Sequence, residues 1–356
     1  MKRLGGAGPI KVVIAIDSFK GSLSSMAAGH AAAEGVKRAC PEAVCLVRPL
    51  ADGGEGTVDA LKEGLGGEFV EVAVAGPMRK PTHAKYALVR ETSNGPLTAV
   101  MEMAQAAGIT LVPPAERNPL EATTYGVGEM ILDAVRRGTT KFIIGIGGSA
   151  TNDAGRGMLE ALKGHDLRRF SFRIACDVKN PLCGPNGANA VFGPQKGATP
   201  EMVKHLDERL MKFAEEAGDP ATTPGDGAAG GLGFAFRHFL GAELVPGVEL
   251  ILKETRLEAF IRDADIVLTG EGCLDGQTVM GKAPIGVARL AKRYDKPVIA
   301  FSGCVGDDVE AVNDAGIDAF FPILRRITTL EDALDVDHAA VNLSATVCQA
   351  FRLLNL

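Results

Sequence analysis

The chain of 356 residues has no Trp, only 3 Tyr, and aromatic residues make up just 5% of it. Its interior volume must come from Ala, Val, Ile and Leu, which suits helices packed on a parallel sheet. The 7 Cys stand at 40, 45, 176, 183, 273, 304 and 348, an odd number with no CxxC pair. That excludes a disulfide framework and a paired-thiol zinc site, and reduced thiols of a cytoplasmic protein are expected. Met1 to Ile10 lacks an apolar signal core, and no run approaches ~18 apolar residues, so neither secretion nor membrane spanning is expected. Net charge is -6 with no basic stripe, which argues against nucleic acid as a partner. Three signatures are missing as well: the P-loop GxxxxGK with Ser or Thr, the HExxH of zinc enzymes and the GxSxG elbow; the GIGGSAT turn also lacks the dinucleotide GxGxxG.

What is abundant is glycine, 44 residues, or about 12% against a usual ~7%. The glycines cluster after apolar runs, where turns would bring backbone close to a ligand. Strands are expected at Lys11–Ile16, Ala43–Val47, Phe142–Ile146, Phe172–Cys176, Asp265–Thr269, Val298–Phe301 and Ala319–Ile323. Helices are expected at Ser24–Arg38, Leu120–Arg137, Asn152–Leu162 and Pro200–Ala217. Three β-rich runs between Glu68 and Met103, joined by turns at Gly76-Pro77 and Asn94-Gly95-Pro96, predict a meander. The first and last thirds read alike. The expected fold is therefore α/β in two domains. A Rossmann-like (flavodoxin-like) parallel-sheet domain spans residues 1–80 plus 262–356, and a second α/β domain, 81–261, is inserted in it.

Ligands of open α/β sheets bind beyond the carboxyl ends of strands. Four turns expected there are acidic or glycine-rich: Asp17 to Ser22, Asp52 to Gly56, Gly145 to Thr151 (GIGGSAT) and Gly270 to Asp275 (GEGCLD). In GIGGSAT, the amides of Gly147, Gly148 and Ser149 would face an anion at a helix N-terminus, or else the turn serves packing. Lys196, between glycines in GPQKGAT, would reach a phosphate from a flexible loop, or else is a solvated surface Lys. The GDGAAGGLG run (225–233) implies close backbone approach, to a ligand or to another element. Asp17, Asp52, Glu55, Asp177, Glu271 and Asp275 all sit at or past expected strand ends. Singly, each could be a turn or cap residue. Together with Lys20, Lys196 and Lys282 they match what Mg²⁺-dependent phosphoryl transfer needs: carboxylates for a metal and a nucleophile, and Lys for phosphate charge.

Eight segments also form a collinear pattern: IDSFKGSL (16–23), PLADGGEGT (49–57), NPLEATTYGVGEMI (118–131), GIGGSATND (145–153), ACDVKNPLCGPNGA (175–188), AVFGPQKGAT (190–199), GAAGGLG (227–233) and GEGCLDGQTVMGKAPIGVA (270–288). The chain in these segments resembles the glycerate kinase type 1 family. The resemblance implies phosphorylation of D-glycerate by ATP with Mg²⁺, to 2-phosphoglycerate in preference to 3-phosphoglycerate. It implies a cleft between two domains and is compatible with a homodimer. Asp177 or Asp275 would deprotonate the glycerate hydroxyl. Ser18, Lys20, Lys196, Lys282 and the GGSAT amides would hold anionic groups, and Asp17, Asp52 and Glu271 the metal. Asp52 and Glu55 are also candidates for substrate hydroxyls. Three departures stand out. The segment Met158–Phe172 is shorter than in the family, Ile16 stands where Pro is usual, and Cys273 and Gly276 replace a frequent Arg and Ser. If that Arg held the substrate carboxylate, Arg79 or Lys20 would have to substitute. The alternatives are a kinase for another small hydroxy acid and a non-catalytic anion-binding protein.

Overall fold

A computed structural model describes residues 8–54, 56–90 and 95–354. Glu55, one of the candidate site residues, lies outside them. In chain order the described strands are β1 (Lys11–Ile16), β2 (Val44–Val47), β3 (Gly67–Ala75), β4 (Pro81–Arg90), β5 (Leu97–Glu102), β6 (Lys141–Gly145), β7 (Ser171–Ala175), β8 (Glu243–Val245), β9 (Ile266–Leu274), β10 (Val298–Val305) and β11 (Ala319–Pro322). The chain divides into two compact units, Met1–Asp52 with Ile251–Leu356, and Gly53–Leu250.

The first unit holds a parallel sheet in the order β11-β10-β9-β1-β2. Counted along the chain within this unit, that is the flavodoxin-like order 2-1-3-4-5, with its switch point between β1 and β9. β1 reads KVVIAI because both faces of a central parallel strand are covered; Val12 to Ile16 are fully buried. The helix Ser25–Ala39 starts where Ser24 caps the Ala27 amide. It packs closely on the helix Val336–Leu354 because Gly35 has no side chain; a Cβ there would meet the Ser344 carbonyl oxygen at 2.3 Å.

The second unit holds the sheet β3-β4-β5-β6-β7-β8. β3, β4 and β5 form the expected antiparallel meander, and β5 to β8 run parallel. Phe142 and Phe172, on neighbouring strands, stack at 4.6 Å in its core. The Tyr86 hydroxyl reaches the Asp133 carboxylate at 2.7 Å.

Three expectations shift. The unit boundaries fall at 52/53 and 250/251 rather than at 80/81 and 261/262. The reason is that β3 pairs with β4 over its full length, from Gly67↔Val89 to Ala75↔Pro81, which ties residues before 80 to the second sheet. The helix expected at Leu120–Arg137 begins at Tyr125. The helix expected at Asn152–Leu162 shrinks to Arg156–Ala161. Asp153 accepts from the Gly155 and Gly157 amides, which moves the start of this helix down the chain.

Candidate active site

The carboxyl ends of β1 and β9, at the switch point of the first unit, carry Asp17 and Glu271. Asp17 is 8% exposed and accepts from the Ser18 amide at 2.7 Å. Burial, with the charges of Asp52 and Glu271, outweighs the Ser18 amide and the Lys20 ammonium and pushes the Asp17 carboxyl up to about 7. The Lys20 ammonium stands 3.9 Å from Asp52 and is mostly exposed. Glu271 accepts from the Thr278 hydroxyl at 2.8 Å and lies 3.5 Å from the Lys282 ammonium. Burial is the main reason its pKa is raised.

Asp275 follows β9 in a short turn. Its carboxylate accepts from the Gln277 and Thr278 amides, and the Lys282 ammonium lies 3.4 Å away. Burial opposes its ionisation, but Lys282 and the Thr278 amide outweigh burial and hold its pKa below the usual carboxylate range. Lys282 is likewise raised: burial works against its charge, and Glu271 and Asp275 overcome it. Gly270 is required here, because a Cβ would meet the Phe301 carbonyl oxygen at 1.9 Å.

In the second unit the Gly53-Gly54 turn lies against the ends of β6 and β7. Gly53 has φ +88, and a Cβ on it would meet the Ala175 Cβ at 2.7 Å and the Gly247 Cα at 2.8 Å. Asp177, just past β7, is exposed and accepts from the Gly247 amide at 2.8 Å. After β6, Gly147 and Gly148 are exposed and Ser149 is buried. Among the described residues, no three acidic, His or Cys side chains form a ready cation site in either unit.

Lys196 departs from expectation. It lies in the turn Pro194–Lys196 and is 3% exposed, not on a flexible loop. Its ammonium donates to Thr151 O at 2.7 Å and to Ser149 Oγ at 3.2 Å. The structure thus joins GPQKGAT to GIGGSAT. Burial, opposed by Asp153, pushes the Lys196 pKa down to about 7. The helix after GIGGSAT begins only at Arg156, and Asp153 accepts from the Gly155 and Gly157 amides at its start. The glycine run 225–233 meets another element, since a Cβ at Gly230 would strike Thr151 O at 1.9 Å. Arg79 is exposed, pairs with Glu160 at 3.3 Å and stands over the Tyr125 ring.

Sequence reasoning missed Thr278. Its hydroxyl donates to Glu271 and accepts from the Asp275 amide at 3.1 Å, linking the two acids. The signal was the Asp275-x-x-Thr278 spacing, a reciprocal capping pattern.

The sequence model of the glycerate kinase family matches residues 12–168 and 163–355. The chain belongs to the glycerate kinase family. It is an enzyme, a kinase of that family. The two matched stretches overlap at 163–168, inside the segment Met158–Phe172. Among curated relatives, the glycerate kinase of Halalkalibacterium halodurans is 45% identical, over 91% of this chain and 93% of its own. The glycerate 2-kinase of Escherichia coli is 42% identical, over 96% and 99%. A crystal structure from Salmonella typhimurium LT2, provisionally called glycerate kinase 2, superposes with a TM-score of 0.88 at 42% identity, covering 98% of this chain and 99% of its own. That structure therefore shares the mixed α/β fold described above. No described helix is long and apolar enough to cross a membrane.

Proposed function

We propose that the enzyme transfers the γ-phosphoryl group of ATP to D-glycerate with Mg²⁺, giving 2-phosphoglycerate in preference to 3-phosphoglycerate. One observation carries the reading. The switch point between β1 and β9, where open α/β sheets take their ligands, ends in Asp17 and Glu271, with Asp52, Asp275, Lys20 and Lys282 beside them. The 2-phosphoglycerate product is supported by the name of the Escherichia coli relative. The collinear motifs support the type 1 branch of the family.

The residues present fit Mg²⁺. This ion is usually held by one or two carboxylates together with phosphate oxygens and water, so a full protein cage is not needed. The Asp17 carboxyl is pushed up by burial first and then by the charges of Asp52 and Glu271, and a divalent cation there would relieve that concentration of negative charge. Asp17, Asp52 and Glu271 would hold it, and it would supply neutralisation of phosphate charge. Lys20 and Lys282 would donate to anionic oxygens. Asp275, kept ionised by Lys282 and two amides, suits the orientation of Lys282 better than proton abstraction. The free thiols fit a reducing cytoplasm.

ADP release from ATP, Mg²⁺ and D-glycerate tests the proposal, with phosphorus NMR of the product to separate the two isomers. No glycerate-dependent ADP at millimolar substrate would sink it. A second reading, a kinase for a related small hydroxy acid, is favoured by Cys273 and Gly276 in the turn that carries Asp275. A substrate panel separates the two by kcat/KM.

A further inference from the structure

Cys273 and Cys304 face each other in register on the parallel strands β9 and β10. Their thiols are close enough to influence each other's charge, and the Cys304 thiol donates to the Gly272 carbonyl oxygen at 3.7 Å. Cys304 is exposed and Cys273 partly so. Adjacent strands run about 4.8 Å apart, inside the roughly 4.4–6.8 Å between Cα atoms that a disulfide spans. The thiols of Cys45, Cys176 and Cys183 also donate to backbone carbonyls, and Cys45 stands in register with Val12 rather than with a cysteine.

We propose that Cys273 and Cys304 form a thiol–disulfide modification site, closed by low-molecular-weight disulfides of the oxidised-glutathione type. Cys304 is the entry thiol because it is the exposed one. The Cys304 thiolate attacks one sulfur of the external disulfide and expels one small thiol, leaving a mixed disulfide. Cys273, its proton lost to solvent, then attacks the Cys304 sulfur and expels the second small thiol. Two protein thiols become one disulfide, and one external disulfide becomes two thiols.

The bond would tie the end of β9 to the end of β10 at a residue flanked by Glu271 and Asp275. Its closure slows phosphoryl transfer, a consequence that rests on the function proposed above; the bond itself does not.

The test incubates the whole protein with graded ratios of oxidised to reduced glutathione, alkylates the remaining thiols and maps the peptides. A Cys273–Cys304 linked peptide that disappears with dithiothreitol is the expected result. Cys273→Ser should stop at one glutathione on Cys304, and Cys304→Ser should form no link while keeping basal activity. Glutathione consumed at other cysteines first, or no linked peptide at any ratio, would overturn the site. In parallel, the linked form should turn over glycerate about tenfold or more slowly, because displacing a reacting group by about an ångström can cost on the order of a hundredfold. A linked protein with an unchanged rate would refute that consequence. A reduced protein without glycerate-dependent ADP would instead refute the kinase reading, and the peptide map would still decide the bond.

Discussion

The Lys196 ammonium donates to the Thr151 carbonyl oxygen at 2.7 Å, which fastens the turn Pro194–Lys196 to the glycine-rich turn after β6. This cation is buried, and its pKa is pushed down to about 7. In the unfolded chain it keeps its ordinary value of 10.5. Between those two values the unfolded chain holds a proton that the folded protein has lost, so stability rises with pH across that window. The penalty for charging Lys196 is fully present below 7 and fades above it. Urea unfolding of the wild type and of Lys196→Met should therefore diverge, the wild type gaining on the order of 1 kcal/mol per pH unit relative to the variant between pH 7 and 9. Parallel curves would show that Lys196 stays charged in the fold.

Asp17 has the opposite sign. Its carboxyl is pushed up to about 7 from 3.8, so between those values the folded protein holds a proton that the unfolded chain has lost. Stability then falls as pH rises through that window. Asp17→Asn removes the unfavourable charge and should be more stable than the wild type by roughly 2–4 kcal/mol at pH 8, with the difference closing toward pH 4. It should also need at least about 10–100-fold more Mg²⁺ for half-maximal turnover. A variant that is stabilised at high pH and crippled in turnover would mark Asp17 as a residue kept for function at a cost in stability.

Strands such as β1 and β6 were legible because KVVIAI and FIIGI are unbroken buried runs bounded by turn residues. The antiparallel meander was legible from its turns. The first unit boundary was not, because nothing local in Glu68–Ala75 says which sheet it joins; only its pairing with β4 does. Lys196 was misplaced for a related reason. A Lys between glycines reads as exposed, and its partners Ser149 and Thr151 lie far away in sequence. The acidic cluster at β1 and β9 was legible as residue types at strand ends, whereas the relative basicity of its acids depends on burial and on Thr278.

Thr278 should behave as a positioning residue. It is fully buried, donates to Glu271 and accepts from the Asp275 amide. Thr278→Val keeps the shape and leaves both groups without this partner, each worth about 1–3 kcal/mol when buried. Turnover should fall by about tenfold or more, the equivalent of one such loss, and Thr278→Ser should restore most of it. Equal rates for the Val and Ser variants would remove the hydroxyl from the mechanism.

Gly53 and Gly56 offer a matched pair of substitutions in the second unit. Both have left-handed backbone, with φ +88 and φ +90. A Cβ at Gly56 has nothing within 4 Å, whereas at Gly53 it meets the Ala175 Cβ at 2.7 Å and the Gly247 Cα at 2.8 Å. Gly56→Ala should cost only the backbone term, about 1–2 kcal/mol. Gly53→Ala should cost that and an overpacking term of about 1–3 kcal/mol, because backbone at Gly247 cannot swing aside as a side-chain end could. Gly247 also donates its amide to Asp177, so pushing it away should disturb this carboxylate and slow turnover in Gly53→Ala beyond any loss in Gly56→Ala. Thermal unfolding and glycerate-dependent ADP release, measured on both variants, check the two halves. Equal destabilisation would mean that the turn moves freely, and the close packing at the ends of β6 and β7 would then have no part in holding Asp177.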